Sequence, residues 1–166
     1  DILVATQITV EDVRQPMQEL ADTIESMPAP TARDFVLCDG QAESPCPQAD
    51  EEEGRACGEP SDDYDEYHAL VSLPVFQEGT APYLESGGGI VADPASAATE
   101  AVCLSLTVPK GEMPEAGWPL AVYAHGTGGS FRSHVRPEVA GLLAQASLPD
   151  GTSMPMAVVG IDQVVH

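Results

Sequence analysis

Trp118-Pro119-Leu120-Ala121-Val122-Tyr123-Ala124-His125-Gly126-Thr127-Gly128-Gly129-Ser130 is the stretch that decides how this chain is read. Pro119 to Ala124 is an unbroken apolar run, the pattern of a strand buried on both faces. It passes directly into the glycine-rich turn His125–Gly129. Phe131 to Ala146 then reads as a helix with Val135, Val139, Leu142 and Leu143 on its inward side. A strand, a glycine turn and a helix in this order present backbone N–H groups beside the positive end of a helix. Such donors stabilise the negative oxygen of a tetrahedral intermediate in acyl transfer. Glycines let the backbone approach a reacting carbonyl closely and take positive φ.

Glycine turns after strands also cradle phosphates, and two such uses fail here. No Lys-Ser/Thr pair follows the turn, which excludes a P-loop. Gly126-x-Gly128 is followed by Phe131 where a dinucleotide fingerprint needs its third glycine.

Working outward, Met156 to Ile161 is a second buried strand, and Ala101 to Val108 alternates as a strand ended by Pro109-Lys110-Gly111. His68 to Gln77 reads as a strand interrupted by Pro74, and hence as one near an edge. Glu78 to Pro82 is a turn, and Gly87-Gly88-Gly89 leads into a short strand, Ile90-Val91-Ala92.

With these flanks, the stretch resembles the segment after the third strand of the α/β-hydrolases, where a His-Gly-x motif supplies one oxyanion-hole donor. The resemblance covers about residues 67–166. It implies the first half of an α/β-hydrolase sheet, mostly parallel with an antiparallel N-terminal hairpin. It makes the backbone N–H of Thr127 the donor, with Gly126 and Gly128 permitting the turn. His125 is implied to hold the loop by side-chain hydrogen bonds and is not the catalytic base. Ala157 to Ile161 followed by Asp162-Gln163-Val164-Val165-His166 matches the fourth strand and its Asp-x-x-x-His loop. The resemblance thus puts His125, Gly129, Asp162 and Gln163 around the pocket. In that fold the third strand pairs with the fourth on one side and with the nucleophile-bearing fifth on the other. Pro119–Ala124 is therefore expected to pair with Met156–Ile161 and to leave its other edge open.

The serine of this family sits in Gly-x-Ser-x-Gly, and no such motif occurs in the 166 residues. Gly128-Gly129-Ser130-Phe131-Arg132 and Gly151-Thr152-Ser153-Met154-Pro155 come nearest. Nucleophile, acid and base follow in that order in this fold, so Ser130 and His166 fall outside the implied triad. The expectation is a serine hydrolase for carboxylic esters, without cofactor or metal, whose nucleophile lies in a companion C-terminal chain or a missing C-terminal half. The alternative is a catalytically inactive hydrolase-like binding module.

Residues 1–36 read as a strand–helix extension of the kind that precedes some exported bacterial esterases. Ile2 to Ile8 suits a strand, and Thr9 caps a helix carrying Val13, Met17, Leu20 and Ile24 on one face. Pro16 interrupts that pattern, and Pro28 and Pro30 end it. Asp1-Ile2-Leu3-Val4-Ala5 has no basic leader and reads as a processed or cut start. Residues 37–66 are an acidic, Cys- and Pro-rich surface loop, with eleven acidic residues over 38–66. Asp62-Asp63-Tyr64-Asp65-Glu66 lacks the spacing and glycine of an EF-hand, so solvated charge is expected in place of calcium and of a calcium-dependent adhesion module.

Cys38, Cys46 and Cys57 cluster without Cys-x-x-Cys spacing or an intervening His, which argues for a local disulfide among the three and an exported protein. Cys103 reads as a small buried hydrophobe. Six Lys and Arg stand against 27 Asp and Glu, a net charge of −21, which disfavours nucleic acid and anionic membranes. No apolar stretch is long enough for a membrane span.

Overall fold

The computed structural model describes residues 14–46, 54–79, 91, 93, 96–135 and 138–163. Their elements are α1 (Arg14–Ser26), β1 (Ala32–Leu37), β2 (Tyr64–Val75), β3 (Ala98–Pro109), β4 (Leu120–Tyr123), α2 (Val139–Ala144) and β5 (Ala157–Ile161). The strands form one mixed sheet in the order β1-β2-β3-β5-β4. The architecture is α/β in type, with few helices. The sheet is continuous across residues 37 and 66, so the extension, the acidic loop and the following segment share one structure.

The expected mostly parallel sheet is corrected: β1/β2, β2/β3 and β3/β5 are antiparallel, and β4/β5 is the parallel pair. A parallel pair requires a crossover, and β4–α2–β5 is the crossover among the described strands. Pro119–Ala124 does pair with the Met156–Ile161 segment, with Leu120 opposite Ala157 and Tyr123 opposite Gly160. β4 has no neighbour on its other side among the described residues.

The β2 strand is interior, not near an edge. Its pairing with β1 ends at Val71, so the Pro74 ring meets a single neighbour, Thr99 of β3, and the missing N–H interrupts no second ladder. β1 was not expected from the sequence. It carries a bulge between Arg33 and Val36, with Asp34 at φ 57°. In α1, Met17 and Ile24 of the expected apolar face are exposed, and Pro16 falls in the first described turn. The Ile2–Ile8 strand, the Thr9 cap, Val13 and the Ile90–Ala92 strand fall outside the described residues or rest on ones that do.

Register places Glu66, His68 and Leu70 of β2 beside Thr107, Ser105 and Cys103 of β3, with Val158 and Gly160 of β5 next in line. This first face is covered by the segment after β4 and by Cys46: Phe131, Cys46 and Cys103 form a buried cluster with Leu70 packed against it. The opposite face buries Ala69, Val71 and Val102 but is bare at its β4 end. Leu120 and Val122 stand 56% and 75% exposed, which corrects the expectation that β4 is buried on both faces. Apolarity alone made that strand look central, but within the described residues nothing covers that face of it.

Both pairs of cysteines are disulfides, Cys38–Cys57 and Cys46–Cys103, with Cα separations of 4.9 and 5.5 Å. The local bridge of the acidic segment is present, while Cys103 is bonded as well as buried. Alternation along β3 turns Cys103 to the face on which Cys46 lies, a proximity invisible in linear spacing. No described helix is long and apolar enough to cross a membrane.

Candidate active site: the loop after β4

The loop His125–Gly129 leaves the C-terminal end of β4, beside the loop after β5. Gly129 N–H donates to the Gly126 carbonyl at 3.0 Å, closing a tight turn in which Gly128 has φ 77°. That conformation favours glycine. Gly129 is required for a different reason: a Cβ there would lie 2.7 Å from the His125 Cβ and 2.8 Å from the Ser133 hydroxyl. His125 is buried, and its Nδ1 donates to the Gly126 carbonyl at 3.0 Å. Gln163 Nε2 donates to the His125 carbonyl at 3.1 Å, tying the two loops together. Thr127 is exposed, and among the described residues no backbone hydrogen bond takes its N–H.

Asp162 is half-buried in the loop after β5. Its Oδ1 accepts the Phe131 N–H at 2.9 Å, and both its oxygens bind the guanidinium of Arg55. The Arg55–Asp162 pair is largely buried, and Arg55 lies over the Phe131 ring at 5.1 Å. Asp162 therefore fastens the end of the glycine turn to the acidic loop. Ser130 faces its own turn: its N–H donates to Ser133 Oγ at 2.8 Å, and its hydroxyl accepts from Arg132 N–H. His166 lies outside the described residues.

The expected helix from Phe131 is also corrected. Phe131–Val135 forms successive turns, Ser133 N–H to Ser130 O and Val135 N–H to Arg132 O, and α2 begins only at Val139. Pro137 has no N–H to give, and Glu138 sits in the left-handed region at φ 62°, so a continuous ladder is broken there. Within α2, Ala140 and Ala144 are buried and Leu142 is 71% exposed. The loop thus offers turn N–H groups without a helix end beside them.

Beneath the loop lies a buried polar network absent from the sequence reading. Glu66, the last of the acidic run, is buried and not solvated. It accepts from Arg132 Nε at 2.7 Å and Arg132 Nη2 at 2.8 Å, from His68 Nε2 at 2.9 Å and from Ser105 Oγ at 3.0 Å. Burial pushes this carboxyl up, but the hydrogen bonds of Arg132 and His68 outweigh it and hold Glu66 at about 2. On the far side of the ring, His68 Nδ1 meets Ser44 Oγ at 2.7 Å and Cys57 Sγ at 3.8 Å. The outward members of the same run behave as expected: Asp63 accepts from Gln145 at 2.6 Å, and Asp65 lies 3.7 Å from Lys110. Strand alternation, Glu66-x-His68-x-Leu70, is the signal that would have found the buried pair.

His134 is fully buried against β5, where a Cβ on Gly160 would come within 2.8 Å of its Nδ1, and neither ring nitrogen makes a hydrogen bond among the described residues. Burial pushes it down to about 4, so it is neutral at neutral pH.

No protein-family model, no curated protein and no solved structure matches this chain.

Proposed function

We propose that this chain is the oxyanion-loop half of an exported serine hydrolase acting on small carboxylic esters. The observation that carries the proposal is the β4–loop–α2–β5 crossover. It ends β4 in a glycine turn where Thr127 is exposed and no backbone hydrogen bond takes its N–H, and it leaves the outer edge of β4 free, among the described residues. The order β2-β3-β5-β4, antiparallel until its last, parallel pair, agrees with the resemblance, in which a nucleophile-bearing strand joins the far side of β4. The half-buried and exposed apolar side chains of β4 favour such a neighbour over solvent.

In this reading the serine comes from the remaining half or a companion chain. It attacks the ester carbonyl, and the developing oxyanion takes hydrogen bonds from Thr127 N–H and from the N–H after the serine. His125 and Gln163 hold the loop's shape, and Asp162 secures its far end. Two disulfides agree with an oxidising, extracellular location.

The test is a serine-directed fluorophosphonate with an ester-hydrolysis assay on the intact protein. Labelling of a serine within Gly-x-Ser-x-Gly, with hydrolysis, supports the proposal. A fully folded intact protein that neither labels nor hydrolyses esters favours a binding module that keeps the loop without the chemistry.

A further inference from the structure

We propose that Cys38, Cys57 and His68 form a zinc site that replaces the Cys38–Cys57 disulfide when the chain is reduced. The two sulfurs and one ring nitrogen all lie within 4.8 Å of one another, and Cys57 Sγ is already 3.8 Å from His68 Nδ1. Tetrahedral zinc, with bonds of about 2.3 Å to sulfur and 2.0–2.1 Å to nitrogen, separates its ligands by roughly 3.5–3.8 Å. Opening the disulfide therefore requires a modest parting of the sulfurs, with little movement of the histidine.

The histidine is prepared for this role from behind. His68 is fully buried, and its Nε2–H donates to the Glu66 carboxylate at 2.9 Å. That bond puts the lone pair on Nδ1, which points toward the sulfurs. A carboxylate behind a histidine is the arrangement that orients histidine ligands and raises their basicity. Glu66 is itself held by Arg132 and Ser105, so the ring has little freedom to turn. Ser44 Oγ now fills the Nδ1 lone pair at 2.7 Å, and it yields that position to the metal. Two thiolates and a neutral imidazole make a soft set that suits zinc, and their −2 charge balances Zn²⁺.

The chemistry closes without an unnamed partner. A phosphine with one water, or two small thiols, converts the disulfide to two thiols: the phosphine supplies two electrons and ends as its oxide, the water giving the oxygen and both protons, or the two thiols supply electrons and protons and end as their own disulfide. Zn²⁺ then displaces both thiol protons and takes the Nδ1 lone pair, and a water fills its fourth position. The metal closes the same chain segment, of sequence separation 19, that the disulfide closes. Arg55, two residues before Cys57, would keep its seat on Asp162 in either state.

The experiment uses the whole 166-residue chain, reduced with a phosphine, and cobalt(II) and zinc(II) as probes. Expected are a thiolate-to-cobalt charge-transfer band in the near ultraviolet, intense tetrahedral d–d bands, one zinc per chain by native mass spectrometry, and recovery by zinc of the melting temperature lost on reduction. Cys38→Ser should abolish the sulfur-to-cobalt intensity of a two-thiolate site, and His68→Asn should weaken zinc at least about tenfold, the lower end of what loss of even an outer-shell partner costs. Cys103→Ser should leave the band intact, and it checks that Cys46 and Cys103 are not the ligands. Absence of the band in the reduced wild-type chain overturns the proposal. So does a band of undiminished intensity in Cys38→Ser, or undiminished zinc affinity in folded His68→Asn.

Discussion

The two flanks of the sheet are finished by opposite means. On the β2–β3 side, two disulfides, a buried Glu66–Arg132 pair and the Arg55–Asp162 bridge close the first face with bonds and charges internal to the chain. On the β4 side, an apolar strand ends the sheet with Val122 75% exposed and no described neighbour beyond it. Among the described residues the first flank is closed by the chain itself, and the second ends on an uncovered strand. The glycine turn follows β4: Asp162 and Gln163 fasten it to the closed side, while Thr127 within it is exposed.

Breaking the closed flank should have the largest effect. Glu66→Ala leaves the Arg132 charge, the His68 N–H and the Ser105 hydroxyl buried without their acceptor. A loss of about 3–5 kcal/mol is expected, as when one partner of a buried ion pair is removed. Urea denaturation of the oxidised chain measures it, and a change below about 1 kcal/mol would mean that water reaches the network.

The junction comes next. Under the proposed function, Thr127→Pro in the intact protein should cost on the order of 10²–10³ in the kcat of ester hydrolysis, the usual loss for one oxyanion donor. Thr127→Ala, which keeps the N–H, should retain most activity. Equal rates for the two variants, with unchanged circular dichroism, would remove Thr127 from the mechanism.

Acid should loosen the closed flank through His134. This ring is held near 4 in the folded chain against an ordinary value near 6.5. Protons therefore favour the unfolded state between those values. Stability should be constant above about pH 6.5 and fall by on the order of 3 kcal/mol toward pH 4. After burial, the charged groups acting on this ring are Glu66, which raises its pKa, and Arg132, which lowers it. His134→Phe should flatten that part of the pH–stability curve, and an unchanged slope would assign it to other groups.

The smallest effect on stability belongs to the open flank. The wild-type chain alone is expected to self-associate along β4 in sedimentation velocity. Val122→Lys should shift it toward monomer, yet change its stability by no more than about 0.5 kcal/mol, as at other exposed positions. A wild-type chain that sediments as a compact, cooperative monomer would break the contrast between the flanks and the half-domain reading with it.

The difference between the flanks also explains what the sequence disclosed. β3, β4 and β5 were legible because each carries a clean local pattern, alternating in Ala101–Val108 and continuous in Pro119–Ala124 and Met156–Ile161. The glycine turn was legible because its demands are local: Gly128 takes a positive φ and Gly129 has no room for a Cβ, while Gly126 stands in open space. The closed flank was hidden because its signals are nonlocal. β1 contains Arg33 and Asp34 in mid-strand, and its bulge disrupts the period. Glu66 looks like its solvated neighbours until alternation on β2 turns it inward. Cys103 shows no partner until the sheet brings it to Cys46. The helix after the turn was overextended because the spacing of Val135, Val139 and Leu142 was weighed above Pro137.

The bridge from Arg55 to Asp162 has a temporal consequence. Its partners are 107 residues apart, and the Asp162 end lies just past the last strand. During synthesis, at about 5–20 residues per second, Arg55 emerges several seconds before its counter-ion. Cys38 and Cys57 are free to meet in that interval, and Ser44 and Cys46 can seat on β2 and β3, but Arg55 has no counter-ion until Asp162 is made. Contacts of such long range also slow folding once the whole chain is available. The Arg55 end of the acidic loop therefore settles only after a partner made 107 residues later.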